Sequence, residues 1–142
     1  SARPRPLDSD RRRLMKLLLD TRLLLLAASQ PHRLGATALR LIRDAENDLF
    51  FSVASLWEIA AKSSVERTPL LVDARRLRHG LIDNGYEEVP VTGAHAAAVV
   101  SLPASSGDPF DRMLIAQALV EGLTILTADA ALTGPPGTIR HV

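Results

Sequence analysis

The chain contains no cysteine. That excludes disulfide staples and thiolate metal sites, and it suits a reducing cytoplasm. Long apolar runs are missing too: the longest stretches, such as LLLLAA at 23–28, are far too short to span a bilayer. The arginine-rich start leads into no uninterrupted apolar segment with a small-residue cleavage site, so the expectation is a cytoplasmic protein with no membrane association. Charge of one sign is not in excess. The formal net charge is +1, so a nucleic-acid role must rest on a local patch. There is no G-x-S-x-G for a serine nucleophile and no G-x-x-x-x-G-K-S/T to cradle a phosphate. Internal repeats are absent as well.

What is present describes one globular domain. The chain has 142 residues, 46% hydrophobic and 23% charged, enough to bury a real core. Residues 1–14, SARPRPLDSDRRRL, differ in character from the rest. They read as a flexible or non-native extension preceding a domain over 15–142, with Met15 as a natural start. The alternative is a basic arm that touches RNA or a partner through Arg3, Arg5 and Arg11 to Arg13.

Strands and helices alternate along that domain. Strands are expected at 14–19, 48–53, 87–91, 123–127 and 138–142, with Pro90 confining the third to a sheet edge. Helices are expected through LLLLAAS, from about 35 to 44, over 55–64, through ARRLRHGLIDNG to Gly85, through HAAAVVSL, and from Asp108 to about Glu121, closed by Gly122. PASSG and GPPG read as loop and turn. This alternation predicts an α/β fold with a central, mostly parallel sheet flanked by helices. Sites in such sheets gather at the carboxyl ends of the strands.

Four acids share that address. Asp20 follows the first strand and Asp129 the fourth; Glu58 is expected in the first turn of the helix leaving the second strand. Asp111 stands one turn into the helix that precedes the fourth strand. Each also has a local explanation. Asp20 and Asp129 suit turns or helix caps, Ser55-Leu56-Trp57-Glu58 matches a capping box, and Asp111 complements a helix dipole. Asp108 itself is the expected cap of that helix, with Pro109 at the first helical position. Taken together, several converging carboxylates repel and take up protons unless a cation sits among them. Oxygen-only ligands suit Mg²⁺ or Mn²⁺, which can activate water in phosphodiester cleavage.

The stretches LLLDT (17–21), SVASLWEIAAK (52–62), DPFDRMLIAQAL (108–119) and LTILTAD (123–129) resemble the PIN domain, and within it the VapC-type toxin ribonucleases of toxin–antitoxin pairs. The resemblance covers 15–142. It implies a PIN-like fold and a Mg²⁺- or Mn²⁺-dependent endoribonuclease that cleaves single-stranded RNA. It also implies a homodimer and a cognate antitoxin whose tail covers the site. Carried onto this chain, it makes Asp20 and Asp111 the principal metal ligands, with Glu58 and Asp129 completing the set directly or through water. Thr21 and Thr127 match the small hydroxyl residues beside these acids. The chain departs from relatives in reading Asp20-Thr21-Arg22 where many have DTH, and Ser105-Ser106-Gly107 where many have His and Arg. Arg22 stands either as a replacement phosphate contact or as an exposed helix arginine. Lys62, Arg67 and Arg112 are further candidate phosphate contacts.

The four histidines, His32, His79, His95 and His141, fall outside the acidic motifs and are expected to be structural or exposed. Trp57 is expected in the core or at a dimer contact. Two rival functions remain. One is a PIN-like module that binds RNA or a partner with little or no catalysis, which a missing acid would favour. The other is a response-regulator receiver, which wants paired acids after its first strand and a lysine near its last. This chain has one Asp there and no Lys after Lys62.

Overall fold

The structure is a computed structural model that describes residues 14–66, 72–103 and 107–142. The N-terminal extension, apart from its last residue, and Arg67 lie outside the described residues, as do the central residues of PASSG. Five strands form one sheet: β1 (Lys16–Leu19), β2 (Asp48–Ser52), β3 (Glu87–Val89), β4 (Thr124–Thr127) and β5 (Ile139–His141). Their order is β3-β2-β1-β4-β5, and every pairing is parallel. Among the described residues, six α-helices connect or flank them: α1 (Thr21–Ser29), α2 (Ala36–Arg43), α3 (Val53–Glu66), α4 (Ala74–Asp83), α5 (Gly93–Val99) and α6 (Pro109–Glu121).

The central strand shows why the sheet must be covered on both sides. Leu17, Leu18 and Leu19 are all fully buried. Because successive side chains alternate, Leu17 and Leu19 join one apolar cluster and Leu18 joins the other. The first cluster gathers Leu23, Leu24, Leu41, Leu77 and Leu81 from α1, α2 and α4. The second gathers Leu114, Ile115 and Ala118 from α6 with Ile125. As expected, β3 is an edge strand, and it ends immediately before Pro90. Gly122 closes α6 in the left-handed region, with φ 70°, where a side chain would be strained.

One expectation fails at α3. The helix starts at Val53, not Ser55, so Glu58 sits in its second turn and not its first. One of its first amides is met by Ser52, whose Oγ accepts from Ala54 N at 2.9 Å. Ser55 and Glu58 therefore form no capping box, and Glu58 is free to serve another purpose. Trp57 is 65% exposed on the same helix, so of its two expected places the core of this chain is excluded and a contact with a second chain is left.

A buried polar network ties the second helical layer together. His95 is fully buried and completes a true capping box on α5: Thr92 Oγ1 accepts from His95 N, and His95 Nδ1 accepts from Thr92 N at 3.1 Å. With Nδ1 accepting, the proton resides on Nε2, which donates to Glu121 Oε2 at 2.8 Å. Among the described residues, no helix is long and apolar enough to cross a membrane.

Candidate active site

All four expected acids line one cleft of about 760 Å³ at the carboxyl ends of β1 and β4. Asp20, Glu58, Asp111 and Asp129 are joined there by Asp108. Parallel strands bring this about: β1 and β4 are neighbours, so the residues just past their ends fall side by side.

Asp20 serves two local roles at once. It caps α1, its Oδ1 accepting from Leu23 N at 2.8 Å, and its Oδ2 accepts the Thr127 hydroxyl. Thr127 Oγ1 in turn accepts from Asp129 N at 3.0 Å, so one hydroxyl orients Asp20 and anchors the turn that carries Asp129. Asp129 Oδ1 accepts from Ala131 N at 2.9 Å. The cap and turn readings of these two acids therefore hold, and both residues also line the cleft.

Glu58 is held from two sides. Thr21 Oγ1 stands 2.7 Å from Glu58 Oε1 and 2.9 Å from Ser55 Oγ. A hydroxyl has one proton, so Thr21 donates to the carboxylate and takes its second bond from Ser55. Lys62 Nζ donates to Glu58 Oε2 at 2.6 Å, one helical turn on.

Asp108 caps α6 as expected, accepting from Phe110 N at 2.8 Å and Asp111 N at 3.3 Å. Asp111, in the first turn, projects into the same cleft. Its carboxyl is pushed up to about 6, first by desolvation, then by the charges of Asp108, Glu58, Asp20 and Asp129. Asp20 is also raised: burial outweighs the hydrogen bonds from Thr127 and Leu23, and Asp129 and Glu58 push the same way.

This crowding of like charge is what a bound cation relieves, and the donor set is oxygen only, as hard divalent ions prefer. The residues fit Mg²⁺ or Mn²⁺ by chemistry. Among the described residues, however, no group of three acids or histidines is already drawn together as a metal cage.

The candidate phosphate contacts separate. Arg22 is exposed and lines the cleft, and Lys62 is committed at least to Glu58. Arg112 points elsewhere: its guanidinium donates to the carbonyls of Pro103, Val99 and Leu102, pinning the chain after α5 to α6. Sequence reasoning missed Arg33 and Thr37, which line the acidic cleft with apolar Leu26 and Leu34. No sequence signal marks them, because they reach the site only through the packing of α1 and α2. Ser55 was read as a cap; its contact with Thr21 makes it a support of Glu58.

The family model for the PIN domain matches residues 17–134. The chain belongs to the PIN domain family. Ribonuclease VapC22 of Mycobacterium tuberculosis is 31% identical over 117 residues, covering 82% of this chain and 88% of that protein. This PIN domain is therefore a homologue of a VapC ribonuclease.

Solved structures share its fold. A VapBC complex from Salmonella typhimurium, bound to DNA, has a chain matching with a TM-score of 0.66 at 18% identity, over 90% of this chain and 98% of that one. VapBC2 from Rickettsia felis, bound to a DNA fragment from its promoter, gives 0.65 at 13% identity, over 90% and 99%. A toxin–antitoxin complex from Klebsiella pneumoniae gives 0.57 at 18% identity, over 88% and 96%.

Proposed function

We propose that this PIN domain is a Mg²⁺- or Mn²⁺-dependent endoribonuclease that cleaves single-stranded RNA, acting as the toxin of a cytoplasmic toxin–antitoxin pair. One observation carries the reading. Carboxylates from four separate parts of the chain line one cleft, where burial first and then their mutual charge raise Asp111 to about 6. A structural cluster of acids gains nothing from such repulsion; a cation site needs it.

Asp20 and Asp111 would hold the cation, with Glu58 and Asp129 completing its surroundings directly or through water. Once bound, the ion supplies an activated water and a counter-charge for the leaving oxygen of a phosphodiester. The chain's own groups do the positioning. Thr127 holds Asp20, Thr21 and Lys62 hold Glu58, and Arg22 at the rim offers a contact to the RNA backbone. Arg33 adds a second positive group beside the same cleft.

The kinship with a VapC ribonuclease supports the toxin assignment, and the VapBC complexes with the same fold support an antitoxin partner. An acidic cleft suits an antitoxin tail that carries Arg or Lys. A homodimer is consistent with the exposed apolar side chains of Trp57 and Val100. The test is cleavage of defined single-stranded RNAs by the purified protein in Mg²⁺, in Mn²⁺ and in EDTA. Cleavage is expected with either ion and not in EDTA. Undiminished cleavage in EDTA would overturn the metal-dependent reading.

A further inference from the structure

Below the cleft, a fully buried glutamine joins the two helices that carry its acids. Gln117 lies on α6, six residues beyond Asp111; Ser52 lies at the end of β2, six residues before Glu58 on α3. Both side chains are fully buried. Ser52 Oγ donates to Gln117 Oε1 at 2.5 Å, while the same Oγ accepts from Ala54 N at 2.9 Å, the first turn of α3. Gln117 Nε2 donates to the carbonyl of Pro90 at 3.3 Å, just after β3, and lies 3.5 Å from His95 Nδ1.

At a rise of about 1.5 Å per residue, Gln117 lies about 9 Å further along α6 than Asp111. Ser52 has one proton to give and Gln117 Oε1 receives it, so the register of α6 against the start of α3 is set by one directional contact. Apolar packing alone is non-directional and tolerates small slides between helices.

We infer that Gln117 is a positioning residue for the metal centre, acting through Ser52 to hold Asp111 and Glu58 at a fixed separation. The inference rests on the metal-centre reading above. Gln117 touches neither acid. Its effect is on the spacing that the acids bring to a cation. A group that hydrogen-bonds a metal ligand directly changes affinity by about 10–100-fold, and Gln117, one contact further out, is expected at about the lower end of that range.

The test is Mn²⁺ binding to the full chain, followed by the loss of the free-ion paramagnetic resonance signal, alongside the metal-free melting temperature. Gln117→Met keeps the volume and removes both polar atoms; Ser52→Ala removes the hydroxyl and provides a second route if the first variant fails to fold. Leu81→Ala, in the apolar cluster on the other side of the sheet, is a control that lowers stability without touching the network. The expected result is an Mn²⁺ dissociation constant raised about tenfold or more in Gln117→Met and in Ser52→Ala. The double variant should be no weaker than the worse single one, because the two side chains act as a unit. Leu81→Ala should bind Mn²⁺ within about twofold of the parent despite its lower melting temperature.

Parent-like affinity in folded Gln117→Met or Ser52→Ala overturns the inference, as does an equal loss in the Leu81→Ala control. If the parent chain binds no Mn²⁺ at all, the metal-centre reading falls and takes the inference with it, an outcome distinct from the other two.

Discussion

Two regions of this PIN domain bury polar groups, and they do so on opposite terms. Around His95, donors meet acceptors one for one: the Thr92 amide meets Nδ1, and Nε2 meets Glu121. In the cleft, acids stand beside acids in partly buried surroundings, and burial followed by their like charge raises the carboxyls of Asp111 and Asp20. A satisfied network holds a structure in place. A set of like charges is held together by its surroundings, and its free energy falls further when a cation arrives among them. The contrast separates scaffold from site without reference to any relative.

Substitutions should therefore act differently in the two regions. The largest effect is expected from Asp111→Asn, which is nearly isosteric but removes a charge from the cation's surroundings. RNA cleavage at saturating Mg²⁺ should fall by orders of magnitude. Asp108→Asn should keep most of the activity, since Asn caps a helix about as well as Asp. The reverse result would exchange the roles of the pair.

Next in size is Thr127→Val, which removes the hydroxyl that orients Asp20 and receives the Asp129 amide. Cleavage should drop about 10–100-fold, and urea denaturation should show a loss of about 1–3 kcal/mol for the unpaired groups left behind. Unchanged cleavage would place Thr127 with the scaffold.

A third prediction concerns pH. A carboxyl raised on folding binds its proton more tightly in the native state, so native stability declines as pH rises from the unfolded value towards the folded one. For Asp111 that interval runs from 3.8 to about 6, and the raised Asp20 acts in the same direction. Without metal, Asp111→Asn should gain melting temperature relative to the parent across this interval and hold the gain above it. A gap that does not widen between about pH 4 and pH 6 would show that the repulsion is relieved by the fold itself.

The smallest effect tests the scaffold. Thr92→Ala should cost about 1 kcal/mol through the lost cap of α5 and leave Mn²⁺ affinity unchanged. A large change in affinity would erase the boundary between the two regions.

Much of this was legible in the residues. The apolar run at the centre of the sheet, the Asp108-Pro109 start of α6 and its Gly122 stop all carry local signals, and each element forms where those signals stand. Convergence of the acids followed from strand ends in a parallel sheet. The start of α3 was misread because Ser55-x-x-Glu58 is a genuine capping pattern, whereas the side chain that caps is Ser52, hidden at the end of an apolar strand. Trp57 carries the apolar character of a core residue, and only the direction its helix faces leaves it exposed. The Ser52–Gln117 and Thr127–Asp20 bonds join residues 65 and 107 positions apart, and no local pattern encodes such pairs.

That last separation also bears on how the molecule comes into being. The central strand meets β2 early, with Leu18 opposite Phe50, but its other neighbour is β4, with Leu18 opposite Ile125. Until the chain has been made as far as Thr127, Asp20 has neither the Leu126 carbonyl for its amide nor the Thr127 hydroxyl for its carboxylate. Closing so long a loop is the slow, entropically costly part of folding a parallel sheet. The acidic cleft therefore cannot assemble until β4 has been made, although its first acid stands at the end of the first strand.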